Sequence, residues 1–479
     1  MNQVADEKEP EQDGLVADWS SEEEKSIIRT IDWRMIPLAL AMQTVAFLDQ
    51  TNIGQARSYG LDPKTGIGRM ERDLGMAPGE FNNISSMYYL VLLILEPISN
   101  FFLMRFKPSA WLSRIMISWG IVATASAVVT DYNALLACRT LLGIAEAGFF
   151  PGLVLALSYW YSPIELTNRI SVIYITNGIV SLLAGLFAGL IFMLDAPDSP
   201  AWRWLFLIEG APSIILGIFV IVLFPDGPDV APWLSTRGKH IAINRLKLVD
   251  PAARHGRHFV WKDAVPVYAQ FETWLHILAL VFSFMPVMAM KLFLPSILAS
   301  TFTGSNVQFA SMGPALANIV FIIIGSVLAT KLDDRSSVHI VCNLIGAFGY
   351  ITLAFSRNGA LSYGILFVIS MAYPALIIGY GWMASIQQTA TARGAILALA
   401  AGSTNIAGVV GSQIYRPSDA PSYTKGHLMV AGGLCASALC VLIVRISYTV
   451  RNGMAKARAA EKTSRGESLT DADKFAYPY

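Results

Sequence analysis

The sequence predicts an all-α membrane protein whose twelve transmembrane helices form two pseudo-symmetric six-helix bundles. The chain has 479 residues, of which 54% are hydrophobic and only 14% are charged. A soluble domain carries about 25% charged residues, so most of this surface does not face water. The apolar residues are grouped in runs of about 20, the length that crosses a bilayer. A formal net charge of +1 leaves no basic excess for nucleic acid.

Twelve apolar runs divide six and six around a long polar insertion, which fits a transporter built from a duplicated unit. The runs lie at roughly 34–54, 84–104, 111–130, 134–157, 170–193, 204–224, 276–300, 311–330, 338–355, 361–383, 395–414 and 427–446. The implied domains are an acidic tail (1–30), an N-terminal bundle (31–224), a basic central loop (225–275), a C-terminal bundle (276–446) and a C-terminal tail (447–479). Ser21 and Glu24 have capping-box spacing, which predicts a short helix leading to Trp33.

The distribution of Lys and Arg predicts that both termini are cytoplasmic. Residues 1–30 are acidic, so we expect no cleaved signal peptide and a first span that acts as its own insertion signal. The loop after the second span carries Arg105, Lys107 and Arg114, and the central loop is also basic. The loop at 55–83 is an exception on the opposite side, because four basic and four acidic residues balance there. We expect a multi-pass, monomeric protein of the plasma membrane.

Six ionisable residues stand out inside the predicted spans, where each costs about 2.5–3.5 kcal/mol and needs a partner or a water-filled cavity. They are Asp49, Glu96, Arg139, Glu146, Glu209 and Lys291. Arg139 and Glu146 differ by only about 20° around a helix, so they face the same direction. Asp49 and Asn52 share a face of the first span. Because Asp49 and Arg139 should both lie in the outer half of the membrane, we expect an ion pair or a shared proton site between them, with a static structural pair as the alternative.

The remaining intramembrane charges have competing interpretations. Glu96 and Glu209 lie near the ends of their spans, where a carboxylate can snorkel or bind a basic loop, so we interpret both as structural latches. Lys291 lies near mid-depth, where either an anionic ligand or a neighbouring carboxylate would offset the cost of its charge.

In the tenth span, Pro374 and nearby glycines fit either a broken helix that lines a cavity or an ordinary kink.

Polar side chains within the spans are candidate lining groups of a substrate cavity. They are Gln50, Asn177, Lys291, Asn318, Tyr380, Gln387 and Asn405. Each could instead form an interhelical hydrogen bond, worth only about 0.6 kcal/mol on average.

The motifs of enzymes and ATP-driven pumps do not occur in the sequence. It has no Walker A motif, no HExxH motif and no Gly-x-Ser-x-Gly elbow, and its six histidines are not clustered. All four cysteines, Cys138, Cys342, Cys435 and Cys440, fall in apolar runs, so we expect neither disulfides nor a metal site. We therefore expect no catalytic activity and no cofactor.

Seven short motifs stand out along the chain: Leu48–Gly54 (LDQTNIG), Glu96–Asn100 (EPISN), Arg139–Gly152 (RTLLGIAEAGFFPG), Trp202–Gly210 (WRWLFLIEG), Phe293–Pro295 (FLP), Asn405–Gly408 (NIAG) and Asp419–Tyr423 (DAPSY). Together they resemble the major facilitator superfamily and, within it, the anion:cation symporter family, in its fungal branch of allantoate and nicotinate permeases. The resemblance implies a twelve-helix rocker-switch carrier, usually coupled to H⁺, that moves small organic anions. The alternatives are a metabolite exporter or an uncoupled facilitator of the same fold, and a nutrient sensor that does not transport.

The resemblance also implies roles for particular residues. Asp49 and Glu146 become proton-coupling candidates, and Arg139 would shape the central site. Many relatives carry an anion-binding Arg after the first-span Asp, where this chain has Gln50, and we hypothesise that Lys291 supplies the missing cation. The gating loops would carry Arg105 after the second span and Lys331 and Arg335 after the eighth.

Overall fold

The computed structural model describes residues 18–62, 64–103, 106–195, 200–249, 261–387, 390–465 and 477. These residues are almost entirely α-helical, and their one β-type pairing is an isolated bridge between Asp62 and Ile67. The N-terminal half holds α1 (Ser21–Ser58), α2 (Arg69–Asp73), α3 (Glu80–Leu103), α4 (Pro108–Ala125), α5 (Tyr132–Glu146), α6 (Phe149–Ser158), α7 (Pro163–Phe192) and α8 (Ala201–Leu223). A central segment holds α9 (Thr236–Val249) and α10 (Trp261–Ala269).

The C-terminal half repeats the six-crossing pattern of the N-terminal half. It holds α11 (Phe271–Leu298), α12 (Asn306–Leu332), α13 (Arg335–Phe355), α14 (Gly359–Ile369), α15 (Pro374–Ser385), α16 (Ala390–Ser412) and α17 (Thr424–Ser464). The helix pairs α5–α6 and α14–α15 each form one interrupted crossing. By length and composition, ten helical segments of the described chain could span a membrane, and α3 and α7 are the two of the twelve crossings that this criterion does not include. The all-helical, two-bundle fold predicted from the sequence is confirmed.

The helix bundle has two ends. The proximal end is the one at which α1 begins and α17 finishes, and the distal end is the opposite one. A capping box is present at the start of α1, but it joins Ser20 and Glu23. The prediction of Ser21 and Glu24 was wrong by one residue, because successive serines and glutamates offer the same spacing in two registers. α1 then continues without a break through the first crossing, so residues 21–30 are helical.

The central segment is attached to the N-terminal half at the proximal end. Arg245 of α9 is buried, with its Nη1 atom 2.8 Å from Oε1 of Glu165. Its Nη2 atom donates to the carbonyl of Trp160 at 2.7 Å. The Trp160 ring stacks on that of Trp233, with centroids 5.4 Å apart. The basic segment predicted as a loop therefore folds partly as a helix held by a buried charge.

The two halves meet closely at the distal end. A Cβ built on Gly54 of α1 would lie only 2.8 Å from the carbonyl oxygen of Leu292 on α11. Asn82 of α3 donates to the carbonyl of Ser412 at 2.6 Å. Within the described residues, the hydrogen bonds that join the halves extend from this end to Glu96, whose carboxylate accepts from Asn405 at 2.6 Å. The conformation is therefore one with a closed distal side.

Candidate substrate and proton site

Span four is broken immediately after Glu146, and this break places the carboxylate at a helix end. Gly148 separates α5 from α6 with φ +86°, a left-handed conformation that favours glycine. A Cβ there would be 2.1 Å from Oγ of Ser99 on α3. The Ser99 hydroxyl donates to the carbonyl of Ala147 at 2.7 Å, which satisfies a backbone group released by the break.

A chain of hydrogen bonds links the two halves through Glu146. Lys291 of α11 donates from Nζ to Oε1 of Gln50 on α1 at 2.7 Å. Gln50 in turn donates from Nε2 to Oε1 of Glu146. The Tyr88 hydroxyl of α3 donates to the other carboxylate oxygen at 2.5 Å. Nζ of Lys291 also lies 5.0 Å from the ring centroid of Phe47. The ammonium of one half is thus connected to a buried carboxylate of the other by one amide.

A second polar cluster lies within the N-terminal half. The Ser213 hydroxyl of α8 donates to Oδ2 of Asp49 at 2.8 Å. Arg139 donates from Nη2 to Oδ1 of Asn52 at 3.0 Å, and its guanidinium carbon lies 5.2 Å from the Phe206 ring centroid. Arg139 and Glu146 both contact α1, as the shared helix face predicts.

The structure corrects two expectations about this cluster. Among the described residues, no ion pair within 4 Å joins Asp49 to Arg139, because each has taken a neutral hydrogen-bond partner. Glu209 does not snorkel, since it is only 4% exposed and neither carboxylate oxygen has a hydrogen-bond partner in the described structure. It interacts electrostatically with Asp49 and Arg139 in the interior of the half. Its neighbour Gly210 packs against the backbone of Thr124, which brings α8 deep against α4.

The other candidate lining residues are dispersed. The Tyr380 hydroxyl donates to the carbonyl of Ala400, which is a contact within the C-terminal half. Asn405 bonds to Glu96 across the halves, so this carboxylate does join two helices, as a latch would. Gln387 is buried after α15, at the proximal end, away from Gln50. Asn318 lies on α12 with a buried Oδ1 that accepts no hydrogen bond from any of the described residues.

Two of the three gating candidates, Lys331 and Arg335, lie at the proximal end, and the third lies outside the described residues. Lys331 is exposed at the end of α12. Arg335 donates to the hydroxyl of Ser385 at 2.5 Å, which ties α13 to α15. Arg105 and the side chain of Asn177 lie outside the described residues. Within the described residues, no group of three or more His, Cys, Asp or Glu side chains is placed to hold a metal ion.

Sequence reasoning missed two groups that contact the candidate carboxylates. Tyr88 is one of two adjacent tyrosines, and only the structure shows that its hydroxyl, rather than that of Tyr89, reaches Glu146. Ser213 follows a proline in α8, and a single serine in an apolar span carries no signal of its own. The helix of span ten is interrupted, because α14 ends before a 3₁₀ turn and α15 begins at Pro374. That this interruption lines a cavity stays a prediction.

Comparison with known proteins identifies the family. The model of the Major Facilitator Superfamily matches residues 32–412. The chain belongs to the Major Facilitator Superfamily. It is 31% identical over 444 residues to the MFS transporter prlL of a fungal species (strain NRRL 50135), covering 90% of this chain and 88% of that protein. It is 28% identical over 318 residues to a quinolone resistance transporter of Acinetobacter baumannii, covering 65% of this chain and 70% of that protein.

Solved structures share the fold at low sequence identity. The inward-open xylose transporter XylE from E. coli superposes with a TM-score of 0.66 at 14% identity, covering 86% of this chain and 95% of that chain. A bacterial homologue of the human lysosomal transporter Spinster, inward-facing and occupied, gives 0.63 at 14% identity, covering 90% and 97%. This superfamily member is therefore a multi-pass membrane transporter of small molecules that works by alternating access.

Proposed function

We propose that this transporter is an H⁺-coupled symporter of a small organic anion, of the anion:cation symporter type. The observation that carries the proposal is the connection from Lys291 through Gln50 to Glu146 across the two halves. An ammonium within a membrane span needs a compensating negative charge, and here Gln50 connects it to a carboxylate that can bind a proton. Lys291 would bind the anion, and Glu146 would carry the proton.

The charges of the site explain why the proton and the anion would move together. With Glu146 ionised, its charge balances that of Lys291, and the pair offers no net attraction to an anion. Protonation of Glu146 leaves Lys291 uncompensated, which favours a monoanion. Binding of the anion restores neutrality, and a neutral loaded site can cross between conformations without moving net charge through a low-dielectric region. We therefore propose a stoichiometry of one proton per monoanion.

The placement of the two groups would couple binding to alternating access. Gln50 and Glu146 belong to the N-terminal half, whereas Lys291 belongs to the C-terminal half. An anion that enters between Lys291 and Gln50 would replace the direct contact of the halves. Ligand binding can shift a two-state equilibrium only through such a difference in contacts. Asp49, which accepts from Ser213, and Arg139, which donates to Asn52, form a second candidate proton site.

We further propose that the proximal end is cytoplasmic, that the membrane is the plasma membrane and that the monomer is the functional unit. Basic residues of the central segment at the proximal end support this orientation. For symport driven by an inward H⁺ gradient across that membrane, the direction we propose is uptake.

The proposal is tested by H⁺ flux in liposomes that contain the purified full chain and an internal pH dye. A thermal-shift screen of nicotinate, allantoate, gluconate and succinate first selects the carboxylate that stabilises the protein most. An inward gradient of that carboxylate should acidify the lumen. Glu146→Gln should abolish acidification while leaving exchange of labelled for unlabelled carboxylate. The exposed Glu22→Gln is the control. If Glu146→Gln still concentrates the carboxylate against its gradient, Glu146 does not carry the proton.

A second candidate is H⁺-driven export, which the similarity to a quinolone resistance transporter favours. Export driven by an inward H⁺ gradient is antiport, in which the substrate and the proton would occupy the site in turn rather than together. In the liposome assay an inward substrate gradient would then make the lumen more alkaline, whereas symport acidifies it.

A further inference from the structure

The charged loop at 55–83 has no part in the proposed ion coupling, yet it folds as a cap over the distal end. Its tip contacts the C-terminal half, because a Cβ built on Gly66 would lie 3.0 Å from Cβ of Ala420 and 3.1 Å from the hydroxyl of Tyr423. Gly66 has φ +67°, so both the turn and the close approach favour glycine. The loop therefore joins the halves where the distal side is closed.

Arg57, in the last turn of α1, lies at the centre of this cap. Its side chain is 0% exposed. Its Nε atom lies 3.3 Å from Oε1 of Glu71 on α2, and Nη2 donates to the carbonyl of Gly66 at 3.1 Å. Glu71 also accepts from the backbone N–H of Gly68 at 2.6 Å, so the carboxylate is itself fixed in place. All of these partners belong to the N-terminal half, and they hold the guanidinium on that half.

The face of the guanidinium meets one aromatic ring from each half. The Arg57 guanidinium carbon lies 4.5 Å from the ring centroid of Phe81 on α3 and 5.1 Å from that of Phe293 on α11. The two rings are themselves in edge-to-face contact, with centroids 5.9 Å apart. Phe293 continues into the C-terminal half through Tyr415, at 5.4 Å. A guanidinium over an aromatic face is attracted to it, and more strongly where water is excluded.

We propose that Arg57 is the latch of the distal gate, and that its contact with Phe293 holds the two halves together while the distal side is closed. The arrangement makes the latch reversible. When the halves separate, Arg57 keeps Glu71, Gly66 and Phe81, and loses only the ring of the opposite half. No buried charge is then left without a partner, so opening avoids the large cost of breaking a buried ion pair.

The neighbouring contacts differ in kind from the latch. The amide of Asn82 donates to backbone carbonyls of Ser412 and Tyr415 at 2.6 and 2.9 Å. Water that enters an opened gate can replace these hydrogen bonds, so they contribute little to the difference between the open and closed states. Water can also hydrate the guanidinium, whose Nη1 has no hydrogen-bond partner in the described structure, but it does not restore the contact with the Phe293 ring. We therefore infer that this contact makes a measurable contribution to the closed-state preference.

The test measures the distance between the halves at the distal end. Spin labels are attached to Lys64→Cys and Lys425→Cys, both exposed, in the full chain with its four native cysteines replaced by Ala, reconstituted in liposomes. Pulsed electron–electron double resonance then measures the distance between the two spin labels. The ratio of long to short distances reports the ratio of open to closed distal gates. Phe293→Leu keeps an apolar side chain but removes the ring, and it should raise this ratio about 10- to 30-fold. Phe348→Leu makes the same change on an exposed helix face and should leave the ratio unchanged.

Arg57→Met supplies an independent measurement, because it removes the cation and keeps an unbranched apolar chain. It should raise the same ratio as much as Phe293→Leu. Should this variant fail to fold, Phe293→Leu decides alone. A ratio in Phe293→Leu equal to that of the unsubstituted chain, or an equal rise in Phe348→Leu, would overturn the latch. The latch does not depend on which ion or anion moves, so its failure would leave H⁺–anion symport standing.

Discussion

Replacing Lys291 by Met removes the cation of the proposed anion site while keeping an apolar side chain of similar length. An ammonium and a carboxylate about 4 Å apart attract each other by about 4 kcal/mol at an effective dielectric constant of 20. Part of this is offset because the anion must lose its hydration, so we expect a net loss of about 2–4 kcal/mol, which is about 30- to 1,000-fold in apparent affinity. The measurement is the concentration dependence of labelled carboxylate uptake in liposomes.

The matched control and the rescue use the same assay. Lys425→Met makes the same change at an exposed distal position and should leave the apparent affinity unchanged. Adding Gln50→Arg to Lys291→Met returns a cation beside Glu146, since Gln50 already contacts that carboxylate. The double variant should recover a measurable part of the affinity. If Lys291→Met transports with unchanged kinetics, the charge of Lys291 does not bind the substrate and the charge argument fails.

Three further substitutions probe the supports of the site and of the fold. Tyr88→Phe removes the hydrogen bond to Glu146 and should slow uptake several-fold with only a small fall in melting temperature; an equal loss of both would indicate a purely structural role. Gly148→Ala should destabilise the protein by about 2–5 kcal/mol, because it combines left-handed strain with a clash against Ser99; thermal unfolding in detergent measures it, and an unchanged melting temperature would contradict the break. Arg245→Ala should cost about 3 kcal/mol by leaving its carboxylate partner half-buried and unpaired, and the same unfolding experiment tests this.

Much of the architecture was predictable because helix geometry and membrane thickness constrain it so strongly. The shared face of Arg139 and Glu146 follows from the helical repeat alone, and both side chains do contact α1. The partners do not follow from the repeat. Asp49 had Arg139 as an obvious partner by charge, yet it bonds to Ser213, because the packing of α8 against α1 determines which groups come within reach.

Depth in the membrane was the weaker inference. Glu209 is a few residues inside the predicted start of its span, which suggests access to the interface. The small Gly210 lets α8 pack closely against α4, and the carboxylate is buried inside the half instead. Position along a span therefore gives depth only if the helix is isolated, and tight helix packing removes the route by which a side chain would snorkel.

In each half the first and last crossing helices meet at a junction, and the side chains at this junction differ between the halves. The difference indicates which half carries the proton. In each half, a hydroxyl on the last crossing helix bonds to the first. In the N-terminal half Ser213 donates to the carboxylate of Asp49, whereas in the C-terminal half Ser437 meets the hydroxyl of Ser283 at 2.8 Å. Asn343 donates to both serines, and the His339 ring lies within 3.5 Å of both hydroxyls. The N-terminal junction therefore contains a carboxylate, whereas the C-terminal junction contains hydroxyls, an amide and an imidazole. The carboxylate lies in the same half as Glu146, so we expect the proton chemistry there, with Lys291 linking the C-terminal half to it.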